Sequence, residues 1–398
     1  MTVLAVNAGS SSLKFALYPT HGLDADPATL VGNLEGLESA TGPIRLTWRS
    51  DADGQSGDEQ IAVTSDDPFH DALAALQQLL TRFPAGRGLQ AVAHRVVHGG
   101  ATYREPVRVT DDLLATLRAL CPLAPLHQPH NLEGVEAFRR ALPDVPQIAC
   151  FDTAFHADIP PVEHNFALPR ALTQQGIRRY GFHGLSYQYL MGQLLRLTPR
   201  ATSRVVMAHL GNGSSLCAAH GGKSAATTMG FSALDGLMMG TRSGSLDAGV
   251  LLHLMEQGWD HDRIQTLLYK QSGLLGVSGL TADMRRLRAS ELPAAREAIA
   301  MYTHRVVRET GALTACLGGL DVLAFTGGIG EHDAALRADV AQRLSYLGVT
   351  LNPAANYRAT GNDTMCISAE GSTVQVWVIP TDEGRVAAQE AMAVLQAA

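Results

Sequence analysis

A short pattern that occurs twice, 203 residues apart, constrains the fold of this chain more than any other feature. Each copy is a β-prone run followed by a turn rich in glycine and serine. Val3-Leu4-Ala5 aligns with Val206-Met207-Ala208, and Ser11-Ser12-Leu13 aligns with Ser214-Ser215-Leu216. Apolar runs on either side of such a turn predict a β-hairpin. We therefore interpret the chain as an internal duplication, with one hairpin in each half.

Helical patterns lie between and after these hairpins. From Pro68 to Phe83 leucines recur on one face, and Asp67 stands where a helix N-cap is expected. A further helix is predicted from about Glu331 to Leu347, with Gly348 as its stop. A final helix is predicted to start near Thr381 or Asp382. Strands that alternate with helices in this way predict an α/β fold.

Composition excludes several classes of function. With 398 residues, 46% of them hydrophobic and 17% charged, the chain should fold into about two to three domains with proper cores. The net charge of −7 argues against nucleic-acid binding, and no apolar run reaches the length of roughly 18 residues that a membrane helix needs. The N-terminus reads as a strand, which argues against a leader sequence. The five cysteines are widely spaced, which argues against a disulfide framework. We expect a cytoplasmic protein that binds phosphate on a small molecule.

Three glycine-rich turns each follow a β-prone run. They span Asn7 to Ser12, Leu210 to Ser215 and Thr326 to Glu331. Glycine lets a backbone approach a ligand closely, and consecutive N–H groups can cradle phosphate oxygens. Any one of these turns could be an ordinary connection, but three together favour phosphate binding. Neither the P-loop pattern nor the dinucleotide fingerprint is present.

Cationic and acidic side chains stand in apolar or glycine-rich surroundings, where solvated surface residues are uncommon. Arg95 lies in an apolar strand that runs into Gly99-Gly100, and Arg242 lies between two glycines in Gly240 to Gly244. Either arginine could instead form a buried structural ion pair. His183, before Gly184, could be a structural histidine, and Asp152, after a β-prone run, could be a cap residue. Phosphoryl transfer would need such cations, because negative charge develops on the moving group.

The longest motifs resemble the signatures of the acetate kinase family. The N-terminal run from Asn7 to Phe15 resembles one signature, and the run from Met229 to Gly244 resembles the other. Further segments resemble the family in the same order along essentially the whole chain, namely those around residue 95, 124–127, 151–156, 180–184, 209–215, 326–331 and 379–383.

The resemblance implies the α/β fold shared by acetate and sugar kinases, actin and the heat-shock chaperone ATPases. In that fold, two duplicated actin-like domains of the ribonuclease H type hold the nucleotide in the cleft between them. By the family pattern, one domain takes residues 1–152 and 383–398, and the other takes residues 153–382. The resemblance also implies reversible, direct in-line transfer of a phosphoryl group from ATP to acetate, and a homodimer.

Site residues implied by the resemblance fall into four groups. Mg²⁺, for which Mn²⁺ can substitute, would be held by Asn7 and Glu383. Arg95 looks like the carboxylate clamp, His183 and Arg242 look like stabilisers of the transition state, and Asp152 holds the position of the acid/base. The acyl group would contact Val97, Leu126, Phe182 and Ala233. ATP or ADP would contact Ser10, Ser12, Lys14, His209, Leu210, Gly211, Asn212, Gly213, Asp283, Met284, Arg285, Gly328, Ile329, Gly330, Glu331 and His332.

The expected chemistry assigns Asp152 a different role from proton transfer. A small carboxylic acid has a pKa of roughly 4 to 5 and is ionised at pH 7, so the nucleophile needs no strong base. The site must instead supply positive charge and alignment for two anions. We therefore interpret Asp152 as an organiser of Mg²⁺ or of an arginine.

Two positions depart from the family, and three other functions compete with this one. Ala233 stands where a proline is usual, which widens the expected acyl pocket, so we expect propionate to be accepted less well than acetate. Gly384 stands where a second acid is usual, which bears on metal affinity. A dedicated propionate kinase is the nearest alternative. An actin-like or chaperone-like ATP-binding module would leave Arg95 and Arg242 without a task, and a serine hydrolase lacks its G-x-S-x-G turn.

Overall fold

The chain forms two compact units. The computed structural model describes residues 1–9, 11–37, 42–65, 67–83, 86, 88–125 and 127–397. The first unit comprises Met1–Ala154 and Asp382–Ala398, and the second comprises Phe155–Thr381. The first unit keeps Thr153, whose Oγ1 accepts a hydrogen bond from the Gly99 N–H at 3.0 Å, and Asp382, which accepts one from the Tyr18 hydroxyl at 2.6 Å. These contacts account for boundaries that differ by one or two residues from the expected 152 and 383.

Strands make up one sheet in each unit. In the first unit they are β1 Thr2–Ala8, β2 Ser12–His21, β3 Asp24–Ala25, β4 Leu30–Glu35, β5 Ile44–Ser50, β6 Ser56–Ile61, β7 Leu89–Val96, β8 Val107–Arg108 and β9 Gln147–Phe151. In the second they are β10 Arg204–Leu210, β11 Ser214–His220, β12 Lys223–Thr227, β13 Val322–Thr326, β14 Met365–Cys366 and β15 Gln375–Val378.

Helices alternate with these strands along the chain. They are α1 Pro68–Arg82, α2 Asp111–Ala119, α3 Gln128–Ala141, α4 Pro161–His164, α5 Arg170–Gln174, α6 Gly184–Leu197, α7 Ala248–Glu256, α8 His261–Lys270, α9 Gly273–Ser278, α10 Met284–Arg288, α11 Pro293–Leu317, α12 Gly327–His332, α13 Ala334–Arg343, α14 Pro353–Arg358 and α15 Glu383–Ala397. Short 3₁₀ helices cover Cys121–Leu123, Ala154–His156, Pro199–Thr202 and Ser345–Leu347.

Both sheets repeat one strand order. The described strands of the first sheet run β6-β5-β4-β2-β1-β7-β9-β8, with β3 paired to β2, and those of the second run β12-β11-β10-β13-β15-β14. In each unit the hairpin, β1 with β2 or β10 with β11, is antiparallel, and its first strand pairs in parallel with β7 or β13. The two predicted hairpins are therefore confirmed, and the shared order supports the duplication.

Two of the predicted helices form as expected, and a third is broken. Asp67 caps α1, since its Oδ1 accepts hydrogen bonds from the N–H groups of Phe69 and His70 at 3.0 and 3.3 Å. The last helix begins at Glu383. The predicted helix from about Glu331 to Leu347 is wrong as one element, because Asp333 accepts from the Leu336 N–H at 2.9 Å and starts a new helix there. Gly348, with φ of 87°, lies after the last turn as predicted.

Each sheet is covered by apolar helix faces. Leu76 of α1 and Phe138 of α3 belong to one buried cluster with Leu4 of β1, and α15 packs against β1, β7 and β9. In the second unit, α11 packs on Val206 of β10 and α6 packs on Met207. Because adjacent residues of a strand face opposite sides, α11 and α6 cover the two faces of this sheet. Among the described residues, none of the helices has both the length and the apolar character that a membrane crossing requires.

Candidate active site

Three polar residues of the first unit lie at the ends of three neighbouring parallel strands, β1, β7 and β9. Asn7 lies near the end of β1, Arg95 near the end of β7, and Asp152 directly after β9. β7 pairs in parallel with both β1 and β9, with Val6 opposite His94 and Arg95 opposite Cys150. Since the carboxyl ends of parallel strands meet at one edge, the topology brings these three residues to the same edge of the sheet.

Arg95 is held between two carboxylates. Its Nε and Nη2 donate to the two oxygens of Asp152 at 3.1 and 2.6 Å, and its Nε lies 3.4 Å from Oε2 of Glu383 at the start of α15. The Asp152 side chain is only 1% exposed, whereas those of Arg95 and Glu383 are 19% and 22% exposed. Two parallel bonds to a buried carboxylate fix the guanidinium plane. The structure thus joins three of the predicted residues in one ion-pair cluster.

The charges of this cluster favour a bound cation. Burial lowers the pKa of Arg95, but the negative charges of Asp152 and Glu383 outweigh it and raise that pKa, so the guanidinium stays charged. Two carboxylates and one guanidinium leave one net negative charge, which a bound divalent cation would offset. Oxygen donors of this type fit Mg²⁺, which takes one or two protein carboxylates together with water and substrate phosphates. A fuller protein cage is not needed, and the described residues contain no group of three or more His, Cys, Asp or Glu side chains suited to a metal.

Other predicted residues of the first unit lie along the hairpin. Lys14 stands opposite Asn7 in the β1–β2 register, so both side chains point to one face, and Lys14 is exposed. Ser12 begins β2 and is partly buried. Val97 is buried at 4% exposure. Ser10 and Leu126 lie outside the described residues.

Asn131 is a positioning residue that sequence reasoning missed. It lies on α3, and its Oδ1 accepts from the Val97 N–H at 3.0 Å while its Nδ2 donates to the Ala8 carbonyl at 2.7 Å. The side chain is buried, at 4% exposure. It therefore ties the segment after β7 to the end of β1. No local pattern marks this residue, since its partners are distant in sequence.

Gly384, where a second acid was expected, is a position at which the structure leaves no room for a side chain. A Cβ at this position would lie 2.5 Å from the Tyr18 hydroxyl oxygen and 3.0 Å from its ring. The same hydroxyl donates to Oδ1 of Asp382 at 2.6 Å. Tyr18 thus occupies the space that a larger residue would need.

In the second unit, two of the predicted phosphate turns lie together. An added Cβ on Gly211, after β10, would lie 3.9 Å from the Gly328 nitrogen, at the start of α12. Gly327 has a φ of 76°, and a Cβ there would lie 2.7 Å from the Leu210 carbonyl oxygen. Ser214 closes the first turn by donating to the Gly211 carbonyl at 2.9 Å. The backbones of the two turns are therefore held side by side, and the N–H groups of Gly211 and Gly327 are themselves bonded, to the Gly213 carbonyl and to Oε1 of Glu331.

Glu331 acts within this framework. Its Oε1 accepts three hydrogen bonds, from the Thr326 hydroxyl at 3.0 Å, the Gly327 N–H at 2.8 Å and the Thr381 N–H at 3.2 Å. These three hydrogen bonds hold the turn at Thr326 and Gly327 in a fixed position next to Thr381. Its predicted contact with ATP stays a prediction.

Arg337 of α13 is a second residue that sequence reasoning missed. Its side chain is fully buried, and it donates to the carbonyls of Gly330 and Glu331 at 2.8 and 2.7 Å. It also bonds Oδ1 and the carbonyl of Asn356 at 2.8 and 2.7 Å and the Ala359 carbonyl at 2.8 Å. Burial lowers its pKa to about 10, so it remains cationic at neutral pH. It therefore fixes the end of α12 against the end of α14.

His183 adopts a backbone conformation that is rare for its residue type. Its φ is 59°, and among the described residues it is the only one other than glycine with a positive φ. Its ring stacks on that of His209, with centroids 4.2 Å apart. His209 in turn bonds the Ser186 hydroxyl through Nδ1 at 2.9 Å. Strain of this kind is maintained by surrounding contacts and is concentrated at functional sites.

Arg242 lies next to the same turn. Its Nη1 donates to the Ala233 carbonyl at 2.9 Å and would lie 3.8 Å from a Cβ on Gly213, while Nε2 of His183 would lie 3.4 Å from that atom. The structure thus brings His183, Arg242 and Gly213 together. Phe182 is buried at 1% exposure. The roles of Phe182 and Ala233 in an acyl pocket stay predictions.

The remaining predicted nucleotide residues are placed less directly. Asn212 lies against Gly240, and a Cβ on Gly240 would lie 3.4 Å from that of Ala282, the neighbour of Asp283. Asp283 pairs with Arg285 at 2.8 Å, and hydrogen bonds from Arg285 lower its pKa to about 2. The side chains of Met284 and Leu210 lie in the core, so only their backbones could meet a ligand. Ile329 and Gly330 continue α12, and its last residue, His332, is exposed and lies close to Gly361.

Comparison with known proteins gives one family. The sequence model of the family described as "Acetokinase family" matches residues 2–389. An acetate kinase of Rhodopseudomonas palustris (strain ATCC BAA-98 / CGA009) is 51% identical over 386 residues, 96% of this chain and 95% of that protein. A solved propionate kinase from Francisella tularensis subsp. tularensis SCHU S4 has a TM-score of 0.89 at 35% identity over 98% of both chains. The Porphyromonas gingivalis acetate kinase has a TM-score of 0.87 at 34% identity over 99% of both.

Proposed function

The chain belongs to the acetokinase family and is a kinase, and we propose that it transfers a phosphoryl group reversibly between ATP and acetate, with ADP and acetyl phosphate as products. The observation that carries this proposal is the cluster in which Asp152 and Glu383 hold Arg95. A carboxylate substrate needs a fixed cation as its partner, and the guanidinium plane here is fixed by two bonds to a buried acid.

We propose that Arg95 binds the acetate carboxylate. Asp152 occupies Nε and Nη2. Nη1 has no hydrogen-bond partner among the residues that the structure describes, so it is available to a substrate oxygen. Binding acetate here aligns the nucleophilic oxygen without proton transfer, since the substrate is already ionised.

Asn7 and Glu383 would hold Mg²⁺, with Mn²⁺ as a substitute. The ion would supply positive charge to the phosphate oxygens of the nucleotide. The residual negative charge of the Arg95 cluster supports this assignment. Asp152 then organises Arg95 and has no need to accept a proton.

In the second unit, we assign the phosphates to the backbone of the adjoining turns, Leu210 to Gly213 and Gly327 to Gly330. Nε2 of His183 and the guanidinium of Arg242 lie beside Gly213. Both can stabilise the charge that develops on the transferred group. Ser10, Ser12, Lys14, the stretch Asp283 to Arg285, and the end of α12 at Glu331 and His332 complete the proposed ATP contacts.

A hydroxamate assay tests the reaction. Purified protein with ATP, Mg²⁺ and each acid from formate to butyrate should yield acyl phosphate, most with acetate, and no product from any acid would overturn the proposal. An Asp152→Asn variant should lose turnover because Arg95 loses its ionic anchor. If that variant kept full turnover and an unchanged dependence on Mg²⁺, the organising role would be wrong.

A dedicated propionate kinase is the second candidate, and one observation favours keeping it. The solved neighbour with the TM-score of 0.89 is a propionate kinase, and Ala233 leaves more room than the usual proline. One methylene is worth roughly 1 to 3 kcal/mol of discrimination in such a pocket. We expect a kcat/KM for propionate below that for acetate by less than about a hundredfold. A higher value for propionate than for acetate would reverse the assignment.

We also propose a homodimer through the face of the second unit that carries α7. All residues of α7 are described and none of them is buried, although most are apolar. Leu252 and Met255 are 63% and 55% exposed, and Leu246 and Val250 nearby are 47% and 40% exposed. A mostly apolar patch suits pairing of two copies that each carry a net charge of −7.

Sedimentation velocity tests the homodimer. A Leu252→Asp variant should sediment as a monomer, because a charge would be buried at the interface. Leu23→Asp, at an exposed leucine of the first unit, is the matched control and should leave the dimer intact. Dimers that resist Leu252→Asp would place the interface elsewhere.

The cytoplasm is the compartment that we propose. ATP, the proposed phosphoryl donor, is available there, and all five cysteines are present as free thiols. Cell fractionation with detection of the protein in the soluble fraction would test this, and recovery from the envelope would contradict it.

A further inference from the structure

A chain of three side chains ends on His183. The Tyr187 hydroxyl lies 2.5 Å from Oγ of Ser215, and that Oγ lies 2.8 Å from Nδ1 of His183. Tyr187 follows His183 by one turn of α6, whereas Ser215 lies on β11. Both Tyr187 and Ser215 are fully buried. The three side chains therefore contact one another directly, with the two hydroxyls inside the core.

The direction of the hydrogen bonds along this chain can be assigned. A phenol is a much stronger acid than an aliphatic hydroxyl, so Tyr187 donates to Ser215 across the short contact. Burial raises the pKa of Tyr187 well above its usual range, which keeps its proton in place, while the backbone of His209 also bonds this hydroxyl. With its oxygen occupied by Tyr187, Ser215 donates its own proton to Nδ1 of His183. The imidazole must then carry its proton on Nε2.

We propose that Tyr187 and Ser215 are positioning residues that fix His183 in the Nε2–H tautomer. Nε2 is the nitrogen that would lie 3.4 Å from a Cβ on Gly213, so the proton is directed at the phosphate turn. His183 thereby presents a ready hydrogen-bond donor to a phosphoryl oxygen. The donation to a phosphoryl oxygen rests on the proposed function, whereas the assignment of the tautomer does not.

The ring plane is fixed from a second side. His209 stacks on His183 with an interplanar angle of 21° and is itself held by Ser186, whose hydroxyl lies 2.9 Å from that of Thr381. The left-handed backbone of His183 adds a third constraint, since it sets where the side chain leaves the helix. Rotation that exchanged Nδ1 and Nε2 would therefore break the Ser215 bond.

Nuclear magnetic resonance of histidine ring nitrogens reads the tautomer directly. Protein labelled with ¹⁵N-histidine, with a His183→Gln variant to assign the signal, should show the proton on Nε2 of His183 at pH 7. Ser215→Ala should give a mixture of tautomers, as in a free histidine, and Ser215→Thr should restore the single form. A proton on Nδ1 in the unaltered protein, or no change in Ser215→Ala, would overturn the proposal.

Kinetics provide a second measurement with a matched control. Ser215→Ala should lower kcat for acetyl phosphate formation about tenfold, with KM for ATP nearly unchanged. Ser215→Thr should recover most of the rate. Ser224→Ala removes another buried serine–histidine bond of the same sheet, to Nδ1 of His156 at 2.8 Å, and should leave kcat within about twofold.

The two measurements separate this inference from the proposed function. A protein without acyl phosphate activity that still shows the Nε2–H tautomer and its dependence on Ser215 would refute the function and retain the positioning role. An active protein in which Ser215→Ala and Ser224→Ala behave alike would retain the function and refute the positioning role.

Discussion

The two units share one strand order but carry different chemical groups at equivalent strand ends. The 203-residue shift makes Val6 equivalent to His209, and these residues pair with His94 and Thr326 on the neighbouring strands. Arg95 of the first unit therefore corresponds to Gly327 of the second. The first unit puts a guanidinium at this strand end, whereas the second puts a residue without a side chain.

The next equivalent pair shows the same contrast. Asn7, a partly buried amide, corresponds to Leu210, which is fully buried in the core. In the first unit the strand ends act through side-chain charge, and in the second they act through backbone groups that glycine leaves accessible. Substitutions should therefore act through lost charge in one unit and through added bulk in the other.

The largest expected effect is at Arg95. Arg95→Lys should lower kcat/KM for acetate by about 10³-fold, roughly 4 kcal/mol, because an ammonium cannot form two parallel bonds to Asp152. The hydroxamate assay measures this. Arg45, which forms two bonds with Asp58 at the surface, is the control, and Arg45→Lys should change the rate less than twofold. A loss below tenfold for Arg95→Lys would show that charge alone suffices.

At the equivalent position of the second unit, Gly327→Ala should act through bulk. The left-handed φ and a Cβ 2.7 Å from the Leu210 carbonyl should together cost about 3 kcal/mol in the free energy of unfolding and raise KM for ATP. Urea unfolding measures the first quantity. Gly318 is the control: its φ of 70° is similar, but an added Cβ would have no atom within 4 Å. Gly318→Ala should therefore lower the free energy of unfolding by only about 1 kcal/mol. Equal costs for the two variants would remove the steric part of the argument.

Acid should affect the first unit more than the second. Burial lowers the pKa of His94, His98 and His156 from 6.5 to about 4, so each is neutral when folded and gains a proton on unfolding at intermediate pH. Stability is therefore lost as pH falls from about 6.5 towards 4. Between pH 7 and 5 each histidine should cost about 2 kcal/mol, and two of the three lie in the first unit.

Hydrogen exchange followed by mass spectrometry can read the two units separately. After correction for the intrinsic effect of pH, amides of β1 and β7 should lose more protection at pH 5 than those of β10 and β13. The difference should be about 2 kcal/mol. Equal losses in both units would contradict the assignment of these histidines as neutral.

The smallest effect is expected at Gly384. Gly384→Ala should destabilise the first unit by about 1 kcal/mol, because Tyr18 must move and its bond to Asp382 weakens. Tyr18→Phe should cost a similar amount. If Tyr18 is the cause, the double variant should cost little more than either single one, and thermal or urea unfolding measures this. Additive losses would mean that Gly384 serves another purpose.

Local patterns predicted the parts of the fold that depend on nearby residues. Both hairpins, α1 with its Asp67 cap and the glycine-rich turns are set by residues within a few positions of each other. The break at Asp333 was missed because a single side chain bonding to the Leu336 N–H decides it. A continuous apolar stripe gives no sign of such a cap.

The sequence allowed the residues of the candidate site to be predicted, but not the bonds between them. Family motifs pointed to Arg95, Asp152 and Glu383, yet the bond between the first two spans 57 positions, and only the folded sheet shows it. Ser215 was visible only as part of a hairpin turn, because its partner Tyr187 lies 28 positions away. Arg337 carried no signal, since its partners are mostly backbone carbonyls, which no sequence pattern distinguishes.

Arg337 has a consequence for how the second unit responds to its surroundings. Its guanidinium is fully enclosed, its hydrogen bonds go to carbonyl and amide oxygens, and the negative charge of Asp333 adds to their stabilising effect. Dissolved ions screen charges at a surface but hardly reach one in the interior. The support beneath the phosphate turn should therefore keep its geometry through swings in cellular salt, whereas surface pairs such as Arg45 with Asp58 weaken.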